Sequence, residues 1–435
     1  MKRKIFYLIT ASLVTGLLLL SGCAGRKTDA SNKSPIQIEE YTQPSTEESS
    51  FEATDTWEGE MPDIEVPETE EIPQKKIHLM AVGDCLMHMG VINSGKQSDG
   101  TYDYDFLFEN LKDFLSVADI KVINQETILG GNEFGFSGYP AFNSPTELGD
   151  SIADCGFNVV LHASNHTLDK RLEGIQNCLA FWENHPGVLV AGIGEKDITG
   201  QIPLLTVGEY TFAILNYTYG TNLETFPAYA DGYMNMLCDW DPETRVLDFT
   251  KLRPQVLEDI RAAKEIADMV IVFPHWGNEY TTEPTIYEKQ FAMAMTEAGA
   301  DLIIGTHPHV IQPIEWITAE NGNTSLCYYS LGNYVSTQLK PICMLEGMAW
   351  VTFEVGENGL QIDTENTGVL PLVNHYGNGT PKHKGTYFLE NYSEELTAAH
   401  AVYSKGLNYQ ELLQWTDEVF GDNVLTVEEA LGSID

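Results

Sequence analysis

The chain has 435 residues with 64 acidic and 24 basic side chains, which gives a formal net charge of −40 at pH 7. Hydrophobic residues make up 43% of it, enough for a substantial core. The excess of carboxylates argues against nucleic acid as a partner, because that binding depends on Lys and Arg neutralising phosphates.

The N-terminus has the features of an export signal. A basic start at residues 1–4 precedes an apolar run at residues 5–20, and Ser21-Gly22-Cys23 follows. The run is short for a membrane span of about 20 residues, and its end resembles the lipobox of bacterial lipoproteins. We therefore predict a lipoprotein signal peptide at residues 1–23. Lipidated Cys23 would anchor the protein to the extracytoplasmic face of the cell membrane.

Residues 24–74 are rich in Ser, Thr, Pro, Glu and Asp and contain few apolar residues. Such a segment cannot bury enough apolar surface to fold, and its like charges repel one another. The composition predicts a disordered acidic linker between the membrane and a folded region that starts near residue 75.

The folded region alternates apolar runs with segments of helical periodicity. Buried strands are predicted at 77–82, 120–124, 159–163, 212–217, 270–273, 302–304 and 326–329. Helices are predicted at 174–183, 257–267 and 287–298, and the last is followed by the stop signal Gly299. This alternation predicts a layered α/β fold. A further strand at 348–355 and helical segments at 394–419 and 425–431 follow, so residues 376–435 are predicted to form a small C-terminal helical appendage.

The six cysteines after Cys23 show no CxxC or metal-finger spacing. We interpret them mostly as small core residues. Disulfides are compatible with an extracytoplasmic location, but the sequence does not pair these cysteines.

Side chains of the metal-ligand type follow nearly every predicted strand. They are Asp84, His88, Glu126, Asn165, His166, Asp169, His275, His307 and His309. Because ligands in layered α/β folds gather at the carboxyl ends of the strands, we expect these side chains to converge. Carboxylates and imidazoles suit Mn, Fe or Zn, and the set is what a two-metal hydrolase requires.

The motifs GDCLMH, NQE, SNHTLD, HWGNEY, GTHPHVIQPIEW and YSLGNY occur in this order between Lys76 and Tyr334. They resemble the successive motifs of the CapA family of poly-gamma-glutamate capsule synthesis, which is itself similar to calcineurin-like metallophosphoesterases. The resemblance implies a metallophosphoesterase-like β-sandwich flanked by helices at residues 75–375.

The resemblance also implies roles for these residues around two divalent ions. Asp84 would ligate the first metal and Glu126 would bridge both. Asn165 and His275 would hold the second metal. His307 and His309 would each take one metal.

Proton transfer is implied for His166, which would act as the general acid while Asp169 orients its ring. The nucleophile would be a water that bridges the metals. His88 stands four residues after Asp84, whereas the phosphoesterase motif has its histidine two residues after the aspartate. His88 is therefore either a metal ligand or a residue that supports one.

Three more residues are candidates for substrate binding, each with a structural alternative. Glu279 would contact metal or substrate. Alternatively, it is a solvated carboxylate or one that supports a metal ligand. Trp276 lines a cleft or packs in the core. Asn333 binds a ligand or closes the turn after a strand. His162 lies within an apolar strand and is interpreted as a packing residue.

Three functions remain open from the sequence. The first is a metal-dependent hydrolase of a phosphoester or amide in the cell envelope. The second is a non-catalytic, polymer-binding component of a polyglutamate synthesis or export complex in the membrane. The third is a structural lipoprotein whose metal only stabilises the fold. The presence of His166 favours the first, since an unligated imidazole beside metals serves mainly to transfer protons.

Overall fold

The computed structural model describes residues 76–356, 359–377 and 383–434. The predicted signal peptide with Cys23 and the predicted linker at residues 24–74 lie outside the described residues. No helix in the described part has the length and hydropathy that a membrane crossing requires.

The strands of the described residues form two large sheets and one short antiparallel pair. In chain order they are β1 (Ile77–Asp84), β2 (Ile120–Asn124), β3 (Val159–Leu161), β4 (Leu189–Ala191), β5 (Leu204–Val207), β6 (Tyr210–Thr218), β7 (Cys238–Trp240), β8 (Leu247–Leu252), β9 (Met269–His275), β10 (Leu302–Ile304), β11 (Ile314–Thr318), β12 (Thr324–Tyr328), β13 (Leu345–Gly356), β14 (Gly359–Ile362), β15 (Gly368–Tyr376) and β16 (His383–Phe388).

The first sheet has the order β16-β15-β13-β1-β2-β3-β4, with β14 paired to β13, and the second has the order β11-β12-β10-β9-β6-β5. Strands β1 to β4 run parallel, as do β6, β9, β10 and β12. Parallel strands are buried on both faces, which explains why they stand out in the sequence as continuous apolar runs.

The described residues contain nine α-helices, of which the last six overlap the predicted helical segments and the first three were not predicted. They are α1 (Met89–Gly95), α2 (Lys112–Val117), α3 (Thr146–Asp154), α4 (Arg171–Trp182), α5 (Pro254–Lys264), α6 (Ile286–Ala298), α7 (Glu394–Ala399), α8 (Tyr409–Phe420) and α9 (Val427–Gly432). Helix α5 begins three residues before its predicted start, because Pro254 occupies its first turn, where a missing N–H costs nothing. Helix α6 begins with a capping box between Thr285 and Glu288 and ends at Gly299, whose φ is 114°.

The core shows how the two sheets are layered. Successive residues of a strand point to opposite faces, so Leu79 of β1 packs between the two sheets while Met80 packs against the helices. The aromatic rings of Phe212 and Phe353, which belong to different sheets, lie 5.2 Å apart. Helices α3 and α4 cover the first sheet, and α5 and α6 cover the second. The predicted layered α/β sandwich flanked by helices is thus confirmed.

The C-terminal region contains the predicted helices, interrupted between α7 and α8. Leu412 and Phe420 of α8 join the core between the sheets. Strand β16 also lies within residues 376–435 and pairs with β15, so this region adds a strand to the first sheet as well as helices.

The six cysteines of the described residues are free thiols, and all except Cys155 are buried. Burial raises the pKa of Cys178 to about 12, so this thiol stays protonated and packs as a small core side chain.

Candidate metal centre

The predicted ligands converge where the strands of both sheets end. Asp84 is the last residue of β1, and Glu126 follows β2 by two residues. His275 ends β9, and His307 and His309 follow β10. All five side chains are buried.

Two groups of side chains have ligand atoms that lie within 4.8 Å of one another. The first consists of Asp84, Glu126 and His309, and the second of Glu126, His275 and His307. Glu126 belongs to both groups, and this is the arrangement that a carboxylate bridging two ions would require.

Glu126 is 1% exposed, and neither of its carboxylate oxygens has a hydrogen-bond partner. The rings of His166, His275 and His309 each place a nitrogen 3.9 Å from it, beyond hydrogen-bonding distance. Burial raises its pKa well above the ordinary value. A buried carboxylate without partners is costly, and a cation would satisfy it. The donor set therefore fits divalent metal ions.

Asp84 is held by three donors. Its Oδ1 accepts a hydrogen bond from Asn124 Nδ2 at 2.7 Å, and its Oδ2 accepts one from the main-chain N–H of His307 at 3.2 Å. His309 Nδ1 lies 3.0 Å from Oδ2. Although burial lowers the pKa of His309, the carboxylates of Glu126 and Asp84 raise it to about 9. A metal ion would replace the proton that this imidazole holds.

His307 and His309 both have positive φ, at 99° and 59°. Non-glycine residues rarely adopt this region, because Cβ crowds the backbone. This backbone conformation turns the segment toward Asp84, which it contacts through the N–H of His307 and the ring of His309.

Asn165 lies beside the second group. Its Oδ1 is 3.0 Å from His275 Nε2, while His275 Nδ1 is 3.0 Å from Thr306 Oγ1. Burial lowers the pKa of His275 well below its ordinary value, so the ring is neutral, which is the form that binds metals. The structure thus brings Asn165 and His275 together, as the resemblance implies.

His166 contacts the centre without belonging to either ligand group. Its Nδ1 lies 2.7 Å from Asp169 Oδ2, which also accepts a hydrogen bond from the N–H of Phe142 at 2.6 Å. Phe142 packs edge-on against the ring at 4.6 Å. The Asp169 carboxylate favours a proton on Nδ1. The other ring nitrogen, Nε2, lies 3.9 Å from Glu126 Oε1.

His88 lies outside both groups. Its Nδ1 accepts a hydrogen bond from the N–H of Thr337 at 3.4 Å, and its ring packs edge-on against Phe142 at 5.4 Å. Burial lowers its pKa to about 4. His88 therefore buttresses Phe142, the residue that also contacts His166.

The three candidates for substrate binding are placed differently. Trp276 is buried, and its Nε1 donates to the carbonyl of Tyr329 at 2.9 Å. Glu279 is exposed and lines a cavity next to His307. Asn333 is buried, and its Nδ2 donates to the carbonyl of His309 at 3.3 Å, so it supports the histidine segment.

Sequence reasoning did not single out Asn124, Tyr219 or Asn222. Asn124 ends β2, so the strand-end pattern that indicated its neighbours could have found it. The ring of Tyr219 lies 4.7 Å from the ring of His307, and Asn222 Nδ2 lies 3.2 Å from His166 Nδ1. Both follow β6 in a long loop that shows no recognisable pattern. His162 is buried and accepts a hydrogen bond from Trp182 Nε1 at 2.8 Å, as expected of a packing residue.

Sequence comparison with known proteins identifies relatives of this chain. The chain is 31% identical over 247 residues to the PGA biosynthesis protein CapA of Bacillus subtilis (strain 168), covering 57% of this chain and 58% of that protein. It is 27% identical over 313 residues to the capsule biosynthesis protein CapA of Bacillus anthracis, covering 71% and 69%. The chain thus spans less than two thirds of the Bacillus subtilis relative.

One solved structure also aligns with this chain. The crystal structure of a hypothetical protein from Thermus thermophilus has a TM-score of 0.39 and 15% identity, covering 68% of this chain and 98% of that one. The sequence profile of the bacterial capsule synthesis protein PGA_cap matches residues 78–338, more than half of the chain and all of the ligands described above. The chain belongs to the PGA_cap family of bacterial capsule synthesis proteins.

Proposed function

We propose that this protein acts in the synthesis or export of a poly-gamma-glutamate capsule, and that the centre around Glu126 is a metal-dependent hydrolase-type site. The names of the two Bacillus relatives, which concern capsule and PGA biosynthesis, support the first part. The observation that carries the second part is that two ligand groups share a buried, unpartnered carboxylate.

The site would hold two divalent ions, and the ligand types suit Mn, Zn or Fe. Asp84 and His309 would hold one ion, His275 and His307 would hold the other, and Glu126 would bind both. When bound, such ions supply a Lewis acid and a nucleophilic water at neutral pH.

The chain's own contribution to catalysis is the proton chemistry of His166. Asp169, 2.7 Å from Nδ1, fixes the orientation of the imidazole. Nε2 is therefore able to hold a proton and deliver it to a leaving group. An amide such as a gamma-glutamyl bond has a poor leaving group that needs this proton, and a phosphoester is the second class that the site could cleave.

The location belongs to the same proposal. Lipidated Cys23 would hold the protein on the extracytoplasmic face of the membrane, and the acidic segment at residues 24–74 would extend the folded part away from it. This position would give access to the polymer and to a membrane synthase or export complex.

The test combines metal content with turnover on the full-length protein in detergent, supplied with Mn, Zn or Fe. Elemental analysis should give two ions, and poly-gamma-glutamate should be cleaved in preference to a generic phosphodiester. His166→Ala should abolish turnover and keep the metal. His185→Ala, at a partly exposed His–Asp pair outside both ligand groups, should change neither. Two bound ions with neither substrate cleaved would contradict the hydrolase and favour a polymer-binding role.

A further inference from the structure

A cavity of about 520 Å³ shares a wall with the metal centre. His307 lines it, and the ring of Tyr219, which lines it too, lies 4.7 Å from the His307 ring. Phe249 and Tyr287 are exposed aromatic residues of the lining, whereas Trp276 is buried in it. A group bound in this cavity would therefore lie among aromatic faces and next to the proposed site of hydrolysis.

The charges of the lining have one sign. Glu279 and Glu288 both line the cavity, and none of the described residues around it is a lysine or an arginine. The cavity thus favours a cationic group.

Glu288 has an unused acceptor at this cavity. The side chain is 2% exposed, and its Oε2 accepts the hydrogen bond from the N–H of Thr285 in the capping box of α6 at 2.6 Å. Its Oε1 has no hydrogen-bond partner. A Cβ at Gly277 would lie 2.3 Å from that oxygen, so only glycine leaves room beside it. Buried carboxylate oxygens are rarely left without a partner, and a ligand that donates a hydrogen bond would supply one.

We propose that this cavity is a subsite for a primary ammonium group at the amino end of a peptide-like chain. Glu288 Oε1 would accept a charge-assisted hydrogen bond, Glu279 would add a second negative charge, and the aromatic faces would attract the cation. Because the subsite adjoins His307, the metal centre would act near the amino end of a polymer instead of in its interior. This last step rests on the proposed function, whereas the binding of the ammonium group does not.

Binding is tested first, on the full-length protein in detergent, with butylamine as the probe and N-butylacetamide as its uncharged counterpart. Calorimetry or ligand-detected NMR should show the amine binding at least about tenfold more tightly, as expected for one hydrogen bond to a charged group. Equal binding of the two probes would overturn the subsite.

The Glu288→Gln variant tests the residue itself. Glutamine can also occupy the third position of a capping box, so α6 should keep its start and the protein its fold. The variant should bind butylamine about tenfold more weakly and N-butylacetamide unchanged. Glu283→Gln removes an exposed carboxylate outside the cavity and should change neither affinity. Unchanged binding of the amine by Glu288→Gln would refute the assignment.

Cleavage is tested second, with poly-gamma-glutamate whose amino ends are free or acetylated. Acetylation should lower the rate of metal-dependent cleavage at least about tenfold, and the free polymer should release short products from one end. Equal rates on both polymers would overturn the end preference and leave the hydrolase in place. If neither polymer is cleaved, the proposed hydrolase is wrong, and the butylamine experiment still decides the ammonium subsite.

Discussion

Replacement of Glu126 by glutamine should have opposite effects on stability with and without metal. Glutamine has nearly the shape of glutamate but no charge, so Glu126→Gln tests the shared carboxylate with little change in packing. In the native protein this carboxylate is 1% exposed and has no hydrogen-bond partner, and a bound cation is what would offset that cost.

The magnitudes follow from the burial. An unsatisfied buried polar group costs about 1–3 kcal/mol, more when it is charged. With metal chelated, the variant should therefore be as stable as the parent or more stable, by up to about 2 kcal/mol. At a free metal concentration of about 100 times Kd, the free energy of unfolding of the parent should rise by about 2.7 kcal/mol. The variant should show little of this increase, because Glu126 is a member of both ligand groups.

The assay is denaturant unfolding of the full-length protein in detergent, in excess chelator and again in excess Mn or Zn. Glu209→Gln is the matched control, since this carboxylate is exposed between β5 and β6 and should leave both curves unchanged. If Glu126→Gln lowers the stability in chelator and leaves the metal response intact, Glu126 supports the fold and does not bind metal.

Three further predictions concern groups around the centre and in α6. Asp169→Asn should lower turnover about 10- to 100-fold without loss of metal. The control Asp150→Asn, which alters the partly exposed pair with His185, should leave turnover unchanged. If the pH–rate profile of Asp169→Asn is the same as that of the parent, Asp169 does not orient His166. Burial raises the pKa of Glu346 well above its ordinary value, so the folded protein favours the protonated carboxyl. The contribution of Glu346 to stability is therefore complete below the ordinary glutamate pKa, and it is lost as the pH rises through the raised pKa of the folded state. Glu346→Gln should remove this loss in urea unfolding measured across pH, and a parallel decline in both proteins would refute the reasoning. Thr285→Ala breaks the capping box of α6 and should cost about 1 kcal/mol in urea unfolding, and no change would show that the cap adds nothing.

The sequence predicted most of the layered fold because its parallel strands are buried on both faces and its helices carry ordinary start and stop signals. Gly299 marks the end of α6 in the sequence as it does in the structure. The interruption between α7 and α8 was not predicted, although it contains Gly406, whose φ of 103° is typical of a residue that ends a helix. Eight strands were also not predicted: β4, β5, β7, β8, β11, β14, β15 and β16. The pairing of β16, for example, depends on its neighbour β15 in the sheet and not on a pattern of its own.

The candidate site could be predicted as far as ligands follow strands. Asp84, Glu126 and His309 follow three separate strands and come together as one group. The contacts of Tyr219 and Asn222 could not be predicted, because they depend on how a loop folds over the centre. The sharing of Glu126 between two groups is likewise a property of distances between strands, which no spacing along the chain encodes.

The centre joins the two sheets of the sandwich. Asp84 and Glu126 come from the first sheet, and His275, His307 and His309 come from the second. A metal ion held by Asp84 and His309 would act as a cross-link between residues that lie 225 positions apart in the chain. Closing so long a loop restricts the unfolded chain as a disulfide does, so metal occupancy would set how readily the two sheets separate.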